Sequence, residues 1–203
     1  TKKLRWLDMC AGPGGKSALL TALIIGREDY FLANELSNAR AELVRQVIKT
    51  GEVVSFDGRE LAANGFATPE NAFDRILIDA PCTGLGALRR RPETRWRRSI
   101  NDLKSLMQLQ KELLHSASEI LVANGMIAYV TCSPHLNETR FQVKEFLRTH
   151  REFELAPIPT GVATGKYSSA IQEDGMFQLW THTHGTDAMF LALLQRKESR
   201  VNS

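Results

Sequence analysis

The sequence is poor in the features that mark several protein classes. Only three cysteines occur in 203 residues and none forms a Cys-x-x-Cys pair. That leaves free thiols suited to a reducing compartment, and a cytoplasmic location is expected. No apolar run reaches the length of a membrane span, and no signal-peptide pattern is present. No internal repeat or low-complexity tract interrupts the chain. Charge is nearly balanced, at +3 overall. There is no initiating methionine: Thr1 stands almost directly before the first apolar run, which reads as a domain excised from something longer. Its length and 43% hydrophobic content suit a single globular domain spanning 1–203.

What is present centres on Asp8-Met9-Cys10-Ala11-Gly12-Pro13-Gly14-Gly15-Lys16-Ser17. The apolar run Leu4–Leu7 before it reads as a buried strand. Ala18, Leu19, Ala22 and Leu23 after it recur at helical spacing. Strand, glycine loop and helix together make a cradle in which backbone N–H groups face a ligand. A phosphate-binding P-loop would need glycine where Cys10 stands, and a dinucleotide loop would need one at Ser17. Glu35, 20 positions beyond Gly15, closes the next apolar run, Tyr30–Asn34, where a carboxylate can accept ribose hydroxyls. An adenosine cofactor without a long phosphate tail fits, S-adenosylmethionine among them. The competing reading is a tight turn at Gly12–Gly15 and a solvated acid at Glu35.

Further along, the spacing predicts a helix over Asn38–Thr50 and a strand over Glu52–Phe56, then irregular chain over 60–72. Asp57-Gly58 is either a reach toward adenine or a plain turn pair. Asp74–Ile78 reads as a strand ending on Asp79-Ala80-Pro81-Cys82. A helix over Asn101–Asn124 is capped by Gly125, followed by a strand at Met126–Thr131 that ends on Thr131-Cys132-Ser133-Pro134. A helix reaching His150, a strand at Phe153–Ala156, a short strand at Met176–Trp180 and a last strand at Met189–Leu194 complete the pattern. Alternating strands and helices predict an α/β, Rossmann-like, mostly parallel seven-stranded sheet covered on both faces. The glycine loop, Glu35, Asp57, Asp79 and Cys132 all follow strands at their carboxyl ends, the ligand edge of such a sheet.

Cysteine is often just a small buried hydrophobe, and Cys10 reads that way. Cys82 and Cys132 each lie beside a proline just past a strand. A thiol with an ordinary pKa of about 8.5 is only slightly ionised at neutral pH unless a cation or helix terminus lowers it. Carbon 5 of a pyrimidine is too weak a nucleophile to take a sulfonium methyl unaided. Thiolate addition at carbon 6 makes it an enamine carbon, and an acid at nitrogen 3 and a base for the carbon 5 proton complete the need. Asp79, Cys82 and Cys132 are the groups to hand.

Asp8–Ser17, Asp79-Ala80-Pro81-Cys82-Thr83-Gly84 followed by Arg-Arg-Pro-Glu-Thr-Arg-Trp, and Thr131-Cys132-Ser133-Pro134 resemble the three motifs of Sun/Fmu-type RNA (cytosine-5) methyltransferases, in that family's order. The resemblance implies Cys132 as nucleophile and Cys82 as the residue that helps release the methylated base. It implies Asp79 on cytosine N3 and its amino group, and Lys16 beside cofactor and base. Cys10, Ala11, Gly12, Pro13, Gly14 and Gly15 would line the cofactor, with Glu35 on the ribose, Arg40 a turn and a half beyond it and Asp57 by the adenine. Asp187-Ala188-Met189-Phe190 departs from the family's Asp-Gly-Phe-Phe, which should touch local packing only. Arg89, Arg90, Arg91 and Arg95, with Trp96, Arg97 and Arg98, suit phosphate contact and base stacking, or form a solvated basic loop. The target must leave its stack. His182 and His184 lack the further ligands of a metal site and read as surface residues or minor RNA contacts. The expected partner is RNA, ribosomal before transfer RNA, bound by a monomer without metal or membrane. The alternatives are a catalytically silent RNA-binding homologue and a nucleotide hydrolase.

Overall fold

In the computed structural model, residues 2–159, 161, 162 and 164–198 are described. Eight strands alternate with helices: β1 Arg5–Asp8, α1 Gly15–Ile24, β2 Tyr30–Asn34, α2 Asn38–Val47, β3 Glu52–Val54, β4 Phe73–Asp79, α3 Thr94–Arg97, α4 Ile100–Glu119, β5 Leu121–Thr131, α5 Arg140–Thr149, β6 Phe153–Ala156, β7 Phe177–Gln178, α6 Thr181–His184 and β8 Phe190–Arg196. The sheet order is β3-β2-β1-β4-β5-β8-β6, with the added short β7 antiparallel to β8. The expected Rossmann-like α/β architecture is therefore present; β7 falls within the short strand expected at Met176–Trp180 and, counted in, makes the sheet eight-stranded rather than seven-stranded. No helix among the described residues is long and apolar enough to cross a membrane.

The chain divides into two compact units: Thr1–Asp79 with His115–Ile127 and Arg196–Ser203, and Ala80–Leu114 with Ala128–Gln195. In the first, β3, β2, β1 and β4 pair in parallel, Asp8 standing opposite Ala33 and Leu77, and Asn34 opposite Val54. Four strand ends are thus level on one edge. Phe31, Ile24 and Val44 bury together around Ala33 with Trp6 and Leu20 against them, each of those three larger buried side chains contributing about 1.5–3 kcal/mol. In the second, Ile158, Ala170 and Phe177 form a smaller core under Leu191 and Leu193.

Several boundaries depart from the sequence reading, each for a local reason. The buried face of α1 is Ser17, Thr21 and Ile24, while Leu19 and Leu23 are 61% and 68% exposed. Buried hydroxyls are tolerated there because Ser17 donates to Asp8, and Thr21 donates to Ser17 O and accepts from Lys49 N. α2 ends at Val47, with Ile48 already extended. β3 stops at Val54 because the Asn34 side chain takes both backbone groups of Phe56. α4 ends at Glu119 rather than Asn124: Phe73 N donates to Ile120 O, and Arg196 donates to Ser118 O and Leu121 O, so those carbonyls face other segments. Asn124 then turns the chain in a left-handed conformation within β5. His182 and His184 lie on α6, not a strand, and His184 is buried. Its Nδ1 accepts from Trp180 N and its Nε2 meets Ser169 Oγ, so it is neither a surface residue nor placed for RNA.

Candidate active site

The cradle is assembled at the level strand ends of the first unit. Past β1, Met9 N donates to Leu77 O and Ala11 N to Asn34 O, each at 2.9 Å. Asn34 donates to Met9 O and Phe56 O, tying three loops with one amide. The chain then turns through Gly12 and Gly14 in left-handed conformations. A Cβ on Gly14 would meet Val47 Cγ2 at 2.6 Å and Val44 Cα at 3.0 Å, so only glycine lets the loop lie on α2. Gly12 and Gly15, in contrast, look onto open space.

Glu35 is 4% exposed, not a solvated acid. Oε2 accepts Gly12 N at 2.8 Å, while Oε1 accepts Ser37 N at 2.9 Å and Arg40 at 2.6 Å. Three of the roughly four acceptor positions of a carboxylate are filled. Arg40 therefore acts through Glu35. Arg59 bonds both oxygens of Asp57, beginning with its own backbone N–H, and holds the carboxyl below its ordinary pKa. Lys16 meets Asp79 at 2.6 Å, both partly open to solvent. Burial raises Asp8 to a pKa of about 6, with Ser17 opposing and nearby Asp79 adding to the rise. Asp8 is a member of this cluster that the sequence reading did not single out as functional. Loss of water around the sulfur, then the carboxylates Asp8, Asp79, Glu35 and Asp57, push the Cys10 thiol well up.

The second unit brings the two motif cysteines together. Cys82 Sγ and Cys132 Sγ lie 3.4 Å apart. Their segments are stitched by Ala80 N to Val130 O and Gly86 N to Cys132 O, each 2.9 Å. A Cβ on Gly86 would stand 2.0 Å from Ala188 O and 2.8 Å from Cys132 O. Cys82 is 8% exposed and Cys132 more so. The hydrogen bond to Cys132, then burial, push the Cys82 thiol up. Either sulfur can donate to the other across this contact. Next to them stands Glu138, fully buried and absent from the sequence reading, accepting from Thr83, Ser133 and Gln110.

The arginine segment is divided. Arg90 is committed inward to the nearly buried Asp187, Nε at 2.7 Å and a terminal nitrogen at 2.5 Å, and Ala188 N donates to Gly86 O. These contacts use the side chain of Asp187, which the departure leaves in place, and the backbone of Ala188. Arg89, Arg91 and Arg97 are exposed, without an ion-pair partner among the described residues. Arg95 leans on the ring of Trp96, itself 77% exposed. Among the described residues no group of His, Cys, Asp and Glu could hold a metal.

The family model described as 16S rRNA methyltransferase RsmB/F matches residues 1–195. The Mycobacterium tuberculosis protein Rv1407, whose name goes no further than methyltransferase, is 46% identical over 196 residues, covering 95% of this chain and 40% of that protein. Ribosomal RNA small subunit methyltransferase B of Photorhabdus laumondii is 32% identical over 200 residues, 94% of this chain and 42% of that one. The crystal structure of PH0851 superposes with a TM-score of 0.81 at 30% identity, over 97% of this chain and 43% of its own. NSun6 from Pyrococcus horikoshii, solved with SFG, shares the fold at a TM-score of 0.80 and 24% identity, over 97% and 48%. The chain spans about two-fifths of the length of these curated relatives.

Proposed function

Because the chain belongs to the RsmB/F family of 16S rRNA methyltransferases, we propose that it methylates carbon 5 of a cytosine in small-subunit ribosomal RNA, using S-adenosylmethionine and a transient bond to Cys132. The observation that carries this reading is the cysteine pair at 3.4 Å, more exposed on the Cys132 side. When bound, S-adenosylmethionine supplies an electrophilic methyl group. The residues of the cradle fit it: Gly12 and Gly15 open onto free space, and Glu35 keeps an acceptor position for a ribose hydroxyl.

Cys132, its thiol proton given up to solvent, adds as the thiolate to cytosine carbon 6, and the ring electrons move to carbon 5. Asp79 accepts from the cytosine amino group and, in its protonated form, donates to nitrogen 3, and Lys16 holds that side chain in place. Once carbon 5 carries the methyl group, its proton is removed as the sulfur–carbon 6 bond breaks, with Cys82 assisting release. Asp79 and Cys82 belong to one four-residue stretch, so they are at most about 11 Å apart along the chain. Arg89, Arg91 and Arg95 take phosphates and Trp96 stacks on an unpaired base, while Arg90 holds their loop through Asp187.

The test is trapping. Cys82→Ala incubated with small-subunit rRNA and S-adenosylmethionine should give a slow-migrating covalent RNA–protein band, absent in Cys132→Ala and in the double variant. A Cys132→Ala chain that still transfers methyl groups would refute the assignment.

A further inference from the structure

Glu138 has no part in the chemistry just described, yet its carboxylate is where the two cysteine segments meet. It sits at the end of a short 3-10 turn, Leu136–Glu138, with its backbone carbonyl fixed by the fully buried Tyr129 hydroxyl at 2.9 Å. Its side chain is fully buried without a cationic partner among the contacts it makes. Oε1 accepts Thr83 N at 2.8 Å and Gln110 Nε2 at 3.2 Å, and Oε2 accepts Thr83 Oγ1 at 2.5 Å and Ser133 Oγ at 2.6 Å. Gln110 also donates to Pro81 O at 2.8 Å. Thr83 and Pro81 flank Cys82, and Ser133 follows Cys132 directly. A buried carboxylate is costly unless such donors satisfy it, and each pair it makes is a charge-assisted bond. Three donors from the two segments, with Gln110 of α4 as a fourth, converge on one rigid group.

We propose that Glu138 is a positioning residue for the cysteine pair: its carboxylate bridges Thr83 and Ser133 and thereby sets the approach of Cys82 to Cys132. The inference rests on the reading that the two cysteines act together. It acts through geometry, and secondarily through charge, since a negative group there favours the protonated form of Cys82. Glutamine keeps an oxygen for Thr83 N–H, and its amide nitrogen can donate to the Thr83 and Ser133 hydroxyls, which turn round to accept. Alanine can do neither.

The experiment is diamide closure of the pair in the intact chain, without RNA or cofactor. Each thiol gives up one hydrogen, the N=N bond of diamide becomes the hydrazine, and one Sγ–Sγ bond forms at about 2.0 Å. Peptide mapping and thiol titration follow the joint loss of Cys82 and Cys132, with Cys10 as the thiol that remains. Glu138→Gln should close at least as fast as wild type, and Glu138→Ala about tenfold slower or more, because the effective concentration of one thiol at the other falls. Rescue by glutamine separates a bridging role from mere filling of space. Should Glu138→Ala not fold, Thr83→Val and Ser133→Ala, each removing one hydroxyl donor, should slow closure severalfold singly and more together. Wild-type closure rates in Glu138→Ala, or in the Thr83→Val/Ser133→Ala pair, would overturn the proposal, as would a Glu138→Gln variant as slow as alanine. The failures are distinguishable: a wild-type chain that methylates no cytosine while these variants still slow closure would sink the enzymatic reading and leave the bridge standing.

Discussion

Asp8 is ionised at neutral pH against the preference of its surroundings. Burial lifts its pKa from 3.8 to about 6, and its Oδ1 has no hydrogen-bond partner among the described residues. A carboxyl raised in this way binds more protons folded than unfolded between those two values. Its contribution therefore favours the fold below about pH 4 and is lost as pH rises to about 6, a change of about 3 kcal/mol. Asp8→Asn removes that titration while keeping an acceptor for Ser17. Urea unfolding at about pH 4 and about pH 7 should show the stability of wild type relative to Asp8→Asn falling by about 2 kcal/mol between them. A difference that stays constant with pH would contradict it. Residues of this kind explain what the sequence left unread. The glycines, Glu35, Asp79, Cys82 and Cys132 were legible because each follows an apolar run or sits in a recognisable motif. Asp8, Gln110 and Glu138 were not, because a buried polar group is identified by its partners. Those of Glu138 come from positions 83, 110 and 133.

At the scale of elements, the glycine loop divides into positions that must be glycine and one that need not. Gly14 is left-handed and pressed against α2, whereas Gly15, the first residue of α1, has neither constraint. Gly14→Ala should cost about 2–5 kcal/mol from strain and overpacking combined. Gly15→Ala should be neutral or stabilising by about 0.5–1 kcal/mol through helix propensity. Thermal or urea unfolding of the two variants checks this, and equal effects would contradict it. Strand existence and order along the chain followed from the apolar runs, and β6 was found at the expected residues. The helix faces were less legible. Counting apolar positions turned α1 toward Leu19 and Leu23, but Ser17 and Thr21 are inside because their hydroxyls find Asp8 and Lys49 N. The end of α4 was likewise set by Phe73 and Arg196, which are remote in sequence.

At the scale of the whole molecule, the net charge of +3 says little, and the placement of arginines says more. Replacing Arg89, Arg91 and Arg95 together by Gln should weaken RNA binding and reduce the slope of log K against log salt by about 2, at about 0.7 per single-stranded phosphate. Arg90→Gln should instead lower stability, because it leaves the nearly buried Asp187 without its cation. An unchanged slope in the triple variant would remove this segment from the RNA surface. The central claim, that Cys132 activates carbon 5 of cytosine in RNA, is tested most directly by small-subunit rRNA labelled with tritium at cytosine carbon 5. With S-adenosylmethionine present, tritium should be released in step with methyl incorporation by the wild-type chain and not at all by Cys132→Ala. Methyl incorporation without tritium release, or release that survives Cys132→Ala, would contradict it.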